Sequence, residues 1–112
     1  MNEQLLSLLG LVRKAGLLSL GFDSVKEAAQ SRKAEIVFLA NDLSPKTEKE
    51  AKFFLNKTNT RLLKLSATID DFEHALAKRV GIISINEIGF AKKAEMLCKA
   101  QNERGVNYDD KI

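Results

Sequence analysis

The stretch LLGLVRKAGLLSLGFDSVKEAAQSRKAEIVFLANDLSP, residues 8–45, joins the basic end of one helix to a glycine turn that opens a second helix. Gly16 and Gly21 bracket a short apolar run, so the chain can reverse after the first helix and enter the next one near Phe22. Backbone N–H groups at the start of a helix lack partners within the helix and favour negatively charged groups. This stretch therefore predicts a helix–strand–helix unit whose turn suits a polyanion.

Helices and strands continue to alternate after this stretch. Hydrophobic periodicity and capping residues predict five helices. The first covers residues 3–14, the second is capped by Asp23 and Ser24 and ends at 31–33, and the third runs from Ser44–Pro45 to about 55. The fourth begins at Thr68 and the fifth at Glu87. Strands are predicted at 17–20, 36–40, 60–65 and 80–85. These strands are too apolar to face water, which favours an α/β fold with helices on both faces of a small four-stranded sheet. Single helices between the strands allow parallel pairing, and the short first strand leaves room for a mixed order.

Length and composition favour one domain with a modest core. The chain has 112 residues, of which 45% are hydrophobic, and a formal net charge of +3. We predict a single domain over residues 1–102. The ending QNERGVNYDDKI is polar and without periodicity, so residues 103–112 are predicted to be a flexible tail. The sequence favours a cytoplasmic protein, because Cys98 is its one cysteine and no basic leader precedes the first helix. It has no apolar run of about 20 residues, so we predict no membrane contact. We expect the protein to be a monomer.

The sequence offers little for catalysis. His74 is the one histidine, and its spacing from Asp70 and Asp71 is typical of any solvated helix. Cys98 falls at an apolar helical position, where an inert core cysteine is the usual outcome. Metal-ligand spacing and glycine-rich nucleotide motifs are both missing. We therefore predict no catalytic residue, no metal and no cofactor.

Basic residues cluster at the ends of the predicted elements. Arg13 and Lys14 end the first helix, Lys26 lies in the second, and the pairs Arg32–Lys33 and Lys78–Arg79 occupy turns. These groups could converge at one end of the sheet, and phosphate binding requires little beyond such cations and helix-start amides. Lysines 46, 49 and 52 alternate with Glu48 and Glu50, which is typical of a solvated mixed-charge face.

The motif RKAG…G…KA…[IV]-x-LA-x-D-x-S, followed by TIDDFEHAL and IISINEIGFAKK, resembles the bacterial members of the L-seven-Ae / L-thirty-e ribosomal protein family. The similarity runs from about Leu5 to Leu97. It implies a three-layer α/β/α sandwich that binds kink-turn or other structured RNA. The implied contacts are the turn after the first strand, the start of the second helix and the loop before the last strand.

Position by position, Gly21 matches the glycine that lets an RNA backbone approach closely, and Arg79 and Val80 match the loop that packs on an extruded nucleotide. Asp23 and Ser24 fall where kink-turn binders carry Asn and Glu, and Glu27 falls on their lysine. Phe22 replaces a small or polar residue and offers a ring on which a base could stack. The combined prediction for RNA-binding residues is Arg13, Lys14, Gly21, Phe22, Asp23, Ser24, Lys26, Glu27, Lys33, Arg79 and Val80.

The sequence thus favours a non-enzymatic RNA-binding protein whose partner is ribosomal or other structured RNA, with the ribosome as a candidate. A second interpretation stays open. The same scaffold could be a protein-interaction module in which the altered β-strand-to-helix turn has lost RNA affinity and Phe22 is an exposed anchor for a partner. A continuous positive surface around Gly21 would favour RNA, and an apolar patch rimmed by mixed charge would favour a protein partner.

Overall fold

The computed structural model describes residues 3–100, which form five helices and one four-stranded sheet. In chain order the elements are α1 (Glu3–Lys14), β1 (Leu18–Leu20), α2 (Phe22–Gln30), β2 (Ile36–Leu39), α3 (Pro45–Lys57), β3 (Arg61–Lys64), α4 (Ile69–Leu76), β4 (Ile82–Ile85) and α5 (Ile88–Ala100). The predicted α/β alternation is confirmed. The predicted tail at 103–112 lies outside the described residues. No helix within the described range is both long and apolar enough to cross a membrane.

The sheet is mixed and its strand order is β1-β4-β2-β3. β2 and β3 pair in parallel across the α3 connection, whereas β4 runs antiparallel to both β1 and β2. Leu18 lies opposite Ile85 and Leu20 opposite Ile83. Because β1 and β4 are antiparallel neighbours, the end of β1 lies beside the start of β4. The loops that follow β1 and precede β4 therefore meet at one end of the sheet.

Three layers pack around two apolar clusters, as the resemblance implied. Ile36 and Phe38 of β2 face a cluster built with α1, α4 and α5, while Val37 and Leu39 face a second cluster built with α2 and α3. All four side chains are fully buried. This alternation follows from the period of two along a strand, and it makes β2 apolar on both faces. The two helical layers are thus α1–α4–α5 and α2–α3.

Side-chain caps define where α3 and α4 begin. The Ser44 hydroxyl accepts a hydrogen bond from the Thr47 amide at 3.2 Å, and Pro45 occupies the first turn. The Thr68 hydroxyl accepts from the Asp71 amide, and the Asp71 carboxylate accepts from the Thr68 amide. Both starts agree with the sequence prediction.

Candidate nucleic-acid interface

The β1–α2 turn lies directly against the loop that precedes β4. Gly21 has φ 93° and ψ 164°, a conformation that L side chains rarely adopt. Its amide donates to the Ile82 carbonyl at 2.9 Å. A Cβ placed on Gly21 would lie 3.7 Å from Val80 Cγ1, so the two residues are neighbours across the turn. Two of the predicted contacts, Gly21 and Val80, are therefore brought together by the antiparallel pairing of β1 with β4.

The predicted cap at Asp23 and Ser24 is wrong. Gly21 is the N-cap, and it supplies no side-chain acceptor to the first turn of α2. The helix begins at Phe22, where the glycine turn predicted it, because the Gly21 carbonyl accepts a hydrogen bond from the Val25 amide at 3.0 Å. Asp23 and Ser24 consequently lie inside the first turn with exposed side chains. A helix start without a side-chain cap leaves its amides available to an external acceptor.

A polar groove of about 670 Å³ runs between the edge strand β1 and helix α2. We call it the β1–α2 groove. Its polar and charged lining residues are Ser19, Ser24, Glu27, Ser31, Lys33, Lys78 and Asn86. The two lysines bring positive charge to the groove, and Glu27 brings one negative charge. Three of the predicted RNA-binding residues, Ser24, Glu27 and Lys33, are thus assembled here.

The wall of this groove is held by a short polar network. The Asn86 amide nitrogen donates to the Ser19 hydroxyl at 2.8 Å, and the Ser84 hydroxyl donates to Asn86 Oδ1 at 2.8 Å. Ser84 is completely buried and lies opposite Ser19 in the β1–β4 ladder. These side-chain bonds link Ser19 of the edge strand to Ser84 and Asn86, and they add to the backbone pairing that holds β1 on β4.

The other predicted residues lie on different surfaces. Arg13 and Lys14 line a groove between α1 and α4 together with His74. Phe22 and Lys26 line a groove between α2 and α3. The Phe22 ring is partly buried and packs edge-to-face with Phe54, with ring centroids 5.2 Å apart. Arg13 with Lys14, Lys26, and Lys33 are therefore distributed over three grooves.

Arg79 is engaged within the chain. Its guanidinium donates to Asp70 Oδ1 at 2.6 Å and to Glu73 Oε1 at 2.8 Å, both on α4. Both hydrogen bonds raise the pKa of the Arg79 guanidinium above its ordinary value, and the bond to Asp70 has the larger effect. The side chain is always charged, but its charge is already compensated by two carboxylates. The contact links the loop before β4 to α4.

Lys78 and Asn86 are groove residues absent from the predicted set. Lys78 precedes Arg79 in a turn whose basic character is visible in the sequence, so a signal for it existed. Asn86 follows an apolar strand and carries no sequence signal of its own. Its place in the groove depends on the pairing of β1 with β4, which the sequence around Asn86 does not indicate.

The described residues contain no group of three or more His, Cys, Asp or Glu side chains arranged to hold a metal ion. His74 is exposed, and Cys98 is buried, as predicted for a core cysteine. The polar residues gathered in the β1–α2 groove are hydrogen-bonding groups, two lysines and one glutamate. The hydrogen-bonding groups and the lysines are suited to contacts with phosphates and base edges.

An α/β/α sandwich whose β1–α2 turn packs on the loop before β4 agrees with the resemblance to the L-seven-Ae / L-thirty-e family. No family model matches the chain. A relative described as RNA-binding protein YlxQ from Enterococcus faecium is 30% identical over 96 residues, which are 86% of this chain and 92% of that protein. The chain therefore belongs to the YlxQ family, which is of the L-seven-Ae type.

A solved structure supports the same fold. It is a protein of unknown function from Bacillus halodurans, with 26% sequence identity and a TM-score of 0.77. The match covers 85% of this chain and 96% of that one. The similarity therefore extends over nearly all of the described α/β/α domain.

Proposed function

We propose that this protein binds structured RNA, with the Gly21 turn and the β1–α2 groove as its main contact. The observation that carries the proposal is the junction of Gly21 and Val80 beside a groove with two lysines. The name of the Enterococcus relative, an RNA-binding protein, supports the same ligand. Kink-turn RNA and ribosomal RNA are the candidate targets that the family resemblance suggests.

The groove chemistry favours RNA over a protein partner at this surface. Lys33 and Lys78 are available for phosphate contacts, and Ser24 presents a hydroxyl that can donate to or accept from a base edge. The bare start of α2 adds amide donors, and Gly21 lacks the Cβ that would hold a backbone away. Phe22, the predicted protein anchor, is instead half-buried against Phe54.

Charge reversal in the groove tests this proposal. We expect the double variant Lys33→Glu, Lys78→Glu to lose at least about tenfold in affinity for a kink-turn RNA, because two phosphate contacts become repulsive. The matched control is Lys92→Glu, Lys93→Glu, which makes the same charge change on exposed positions of α5. Equal loss in both double variants would mean that only net charge matters, and the proposed site would be wrong.

A further inference from the structure

A second groove, between α2 and α3, combines aromatic and cationic side chains. It measures about 980 Å³, and we call it the α2–α3 groove. Its lining residues that matter here are Phe22, Lys26, Lys49, Lys52, Phe53 and Phe54. It is an open surface groove that is large enough to take a nucleobase.

The aromatic residues divide into an anchor and an exposed ring. Phe54 is 5% exposed and holds the partly buried Phe22 ring edge-to-face. Phe53, the next residue, is 65% exposed on the outer side of α3. The Lys57 ammonium lies 4.7 Å from the centre of the Phe53 ring, in a cation–π contact. Phe53 therefore adds little to the core and presents an aromatic surface next to a cation.

The charge around this ring is mainly positive. Three lysines and a single acid, Glu50, line the groove, and Lys57 adds a further cation beside Phe53. Lys52 also lies 3.5 Å from Glu48, which in turn contacts Lys64 at 3.0 Å, so Lys52 is partly compensated. Lys26 and Lys49 remain exposed. The mixed-charge face predicted at residues 46–52 therefore borders an aromatic groove with an excess of positive charge. An anionic ligand would complement that charge.

The α2–α3 groove begins where the proposed RNA site ends. Phe22 directly follows Gly21, and Phe22 and Lys26 lie four residues apart on one side of α2. Ser24 is about 200° around the helix axis from Phe22 and lines the β1–α2 groove on the other side. A strand that leaves the Gly21 turn across the start of α2 therefore enters the second groove.

We infer that the α2–α3 groove binds a single-stranded segment of RNA, with a base stacked on Phe53 and phosphates on Lys26 and Lys49. Every base has a face that stacks on an aromatic ring, and lysines beside the ring suit the backbone phosphates. An acidic peptide would satisfy the lysines but would leave the exposed ring without a planar partner. The inference rests on the proposed function in one respect, since both name RNA as the ligand.

The experiment compares two RNAs and one oligonucleotide by fluorescence anisotropy. The RNAs are a blunt kink-turn duplex and the same duplex with a ten-nucleotide single-stranded overhang, and the oligonucleotide is decauridylate. We expect the overhang to increase affinity, and Phe53→Ala to abolish that gain and to weaken decauridylate binding by about 5- to 100-fold. Affinity for the blunt duplex should not change. Met96→Ala is the matched control, because Met96 is 68% exposed on α5.

Lysine reversal supplies a second arm. Lys49→Glu should weaken decauridylate binding, whereas Lys93→Glu, the same change on α5, should leave it within about twofold. Circular dichroism confirms that each variant is folded. Equal decauridylate binding by wild type and Phe53→Ala, or stronger Phe53-dependent binding of a polyglutamate peptide, would overturn the inference.

The two proposals fail in different ways. If Phe53→Ala changes nothing while the Lys33, Lys78 double reversal weakens both duplexes, the groove inference is wrong and the proposed function stands. If wild type does not bind the blunt duplex but binds decauridylate and the overhang duplex through Phe53, the groove inference stands and the structured-RNA proposal is wrong. If no RNA binds at all, both are wrong.

Discussion

At the scale of single residues, Gly21 decides how closely the β1–α2 turn approaches its surroundings. Its φ of 93° lies in the region that favours glycine, while the nearest atom to an added Cβ would be 3.7 Å away. Strain, rather than a clash, is therefore the cost of a side chain. We expect Gly21→Ala to lower the free energy of unfolding by about 1–3 kcal/mol, measured by urea denaturation.

Gly10→Ala is the matched control for this prediction. Gly10 lies inside α1, and an added Cβ would meet the Ala75 carbonyl oxygen at an ordinary 3.6 Å. Alanine is favoured over glycine in a helix interior by about 0.5–1 kcal/mol, so this variant should be neutral or more stable. A stable Gly21→Ala would show that the turn relaxes to accept a side chain.

Glu27 is the residue of the β1–α2 groove that is least suited to binding an anion, because its side chain is itself negatively charged. It lies four residues after Asp23 and lines the groove together with Lys33 and Lys78. Glu27→Lys replaces repulsion of a phosphate with attraction, and we expect a gain of about 1–3 kcal/mol, or about 5- to 100-fold, in kink-turn affinity. The measurement is a titration at fixed salt against a kink-turn RNA and a plain duplex.

Adding Asp23→Asn and Ser24→Glu to Glu27→Lys tests specificity as well as affinity. Hydrogen bonds to base edges select a particular RNA structure, whereas a lysine alone mainly adds affinity. The triple variant should therefore prefer the kink-turn over the duplex more than Glu27→Lys does. If it shows no such preference, the first turn of α2 does not contact the RNA bases, and the interaction-module alternative gains weight.

At the scale of elements, the start of α4 is the best-defined helix cap in the described chain. Thr68 and Asp71 satisfy each other's amides, and Asp42 Oδ1 accepts from the Ile69 amide at 2.9 Å. We expect Thr68→Ala to lower the free energy of unfolding by about 0.5–2 kcal/mol in urea denaturation. Thr68→Ser keeps the hydroxyl and should recover most of that loss; equal loss in both variants would mean that the methyl group, and not the cap, is responsible.

The elements with local signals were predictable from the sequence. Ser44–Pro45 and the Thr68–Asp71 pair sit within one turn of the helix they start, so their effect is readable from spacing alone. The entry into α2 near Phe22 was predicted correctly, but its N-cap was predicted wrongly, because polar residues at 23 and 24 look like caps while the actual cap is a glycine held by a bond to β4. That bond joins residues about 60 positions apart, and no local pattern reports it.

The candidate site was predictable in part, for a related reason. The strand order β1-β4-β2-β3 depends on long-range pairing, so spacing alone could not bring Gly21 to Val80; the family resemblance supplied that expectation. Helical spacing predicted that Glu27 shares a side of α2 with Asp23, but the residue that lines the groove with Glu27 is Ser24. It could not show that Arg79 pairs with α4 or that Phe22 packs on Phe54, because those contacts are set by tertiary packing. The RNA-binding roles of these residues stay predictions.

At the scale of the whole molecule, α2 separates two surfaces of different chemistry. The β1–α2 groove is polar, and the α2–α3 groove is aromatic and lysine-rich. Both begin at the Gly21 turn, which the antiparallel β1–β4 pairing fixes at one end of the sheet. An RNA that combines a structured element with a single-stranded extension would contact both surfaces at once, and its affinity would reflect their joint effect.

Such a mode of binding predicts a definite dependence on salt. With Lys33 and Lys78 in one groove, Lys26 and Lys49 in the other and a net charge of +3, we expect about three to five phosphate contacts. The slope of log affinity against log salt should then be about −2 to −4, measured by anisotropy between about 50 and 200 mM KCl. The double variant Lys33→Glu, Lys78→Glu should reduce the magnitude of that slope by about 1 to 2, because two phosphate contacts are lost. The control double variant Lys92→Glu, Lys93→Glu on α5 should leave the slope nearly unchanged. A slope near zero in the wild type would show that phosphate contacts do not hold the RNA, and it would contradict both proposed surfaces.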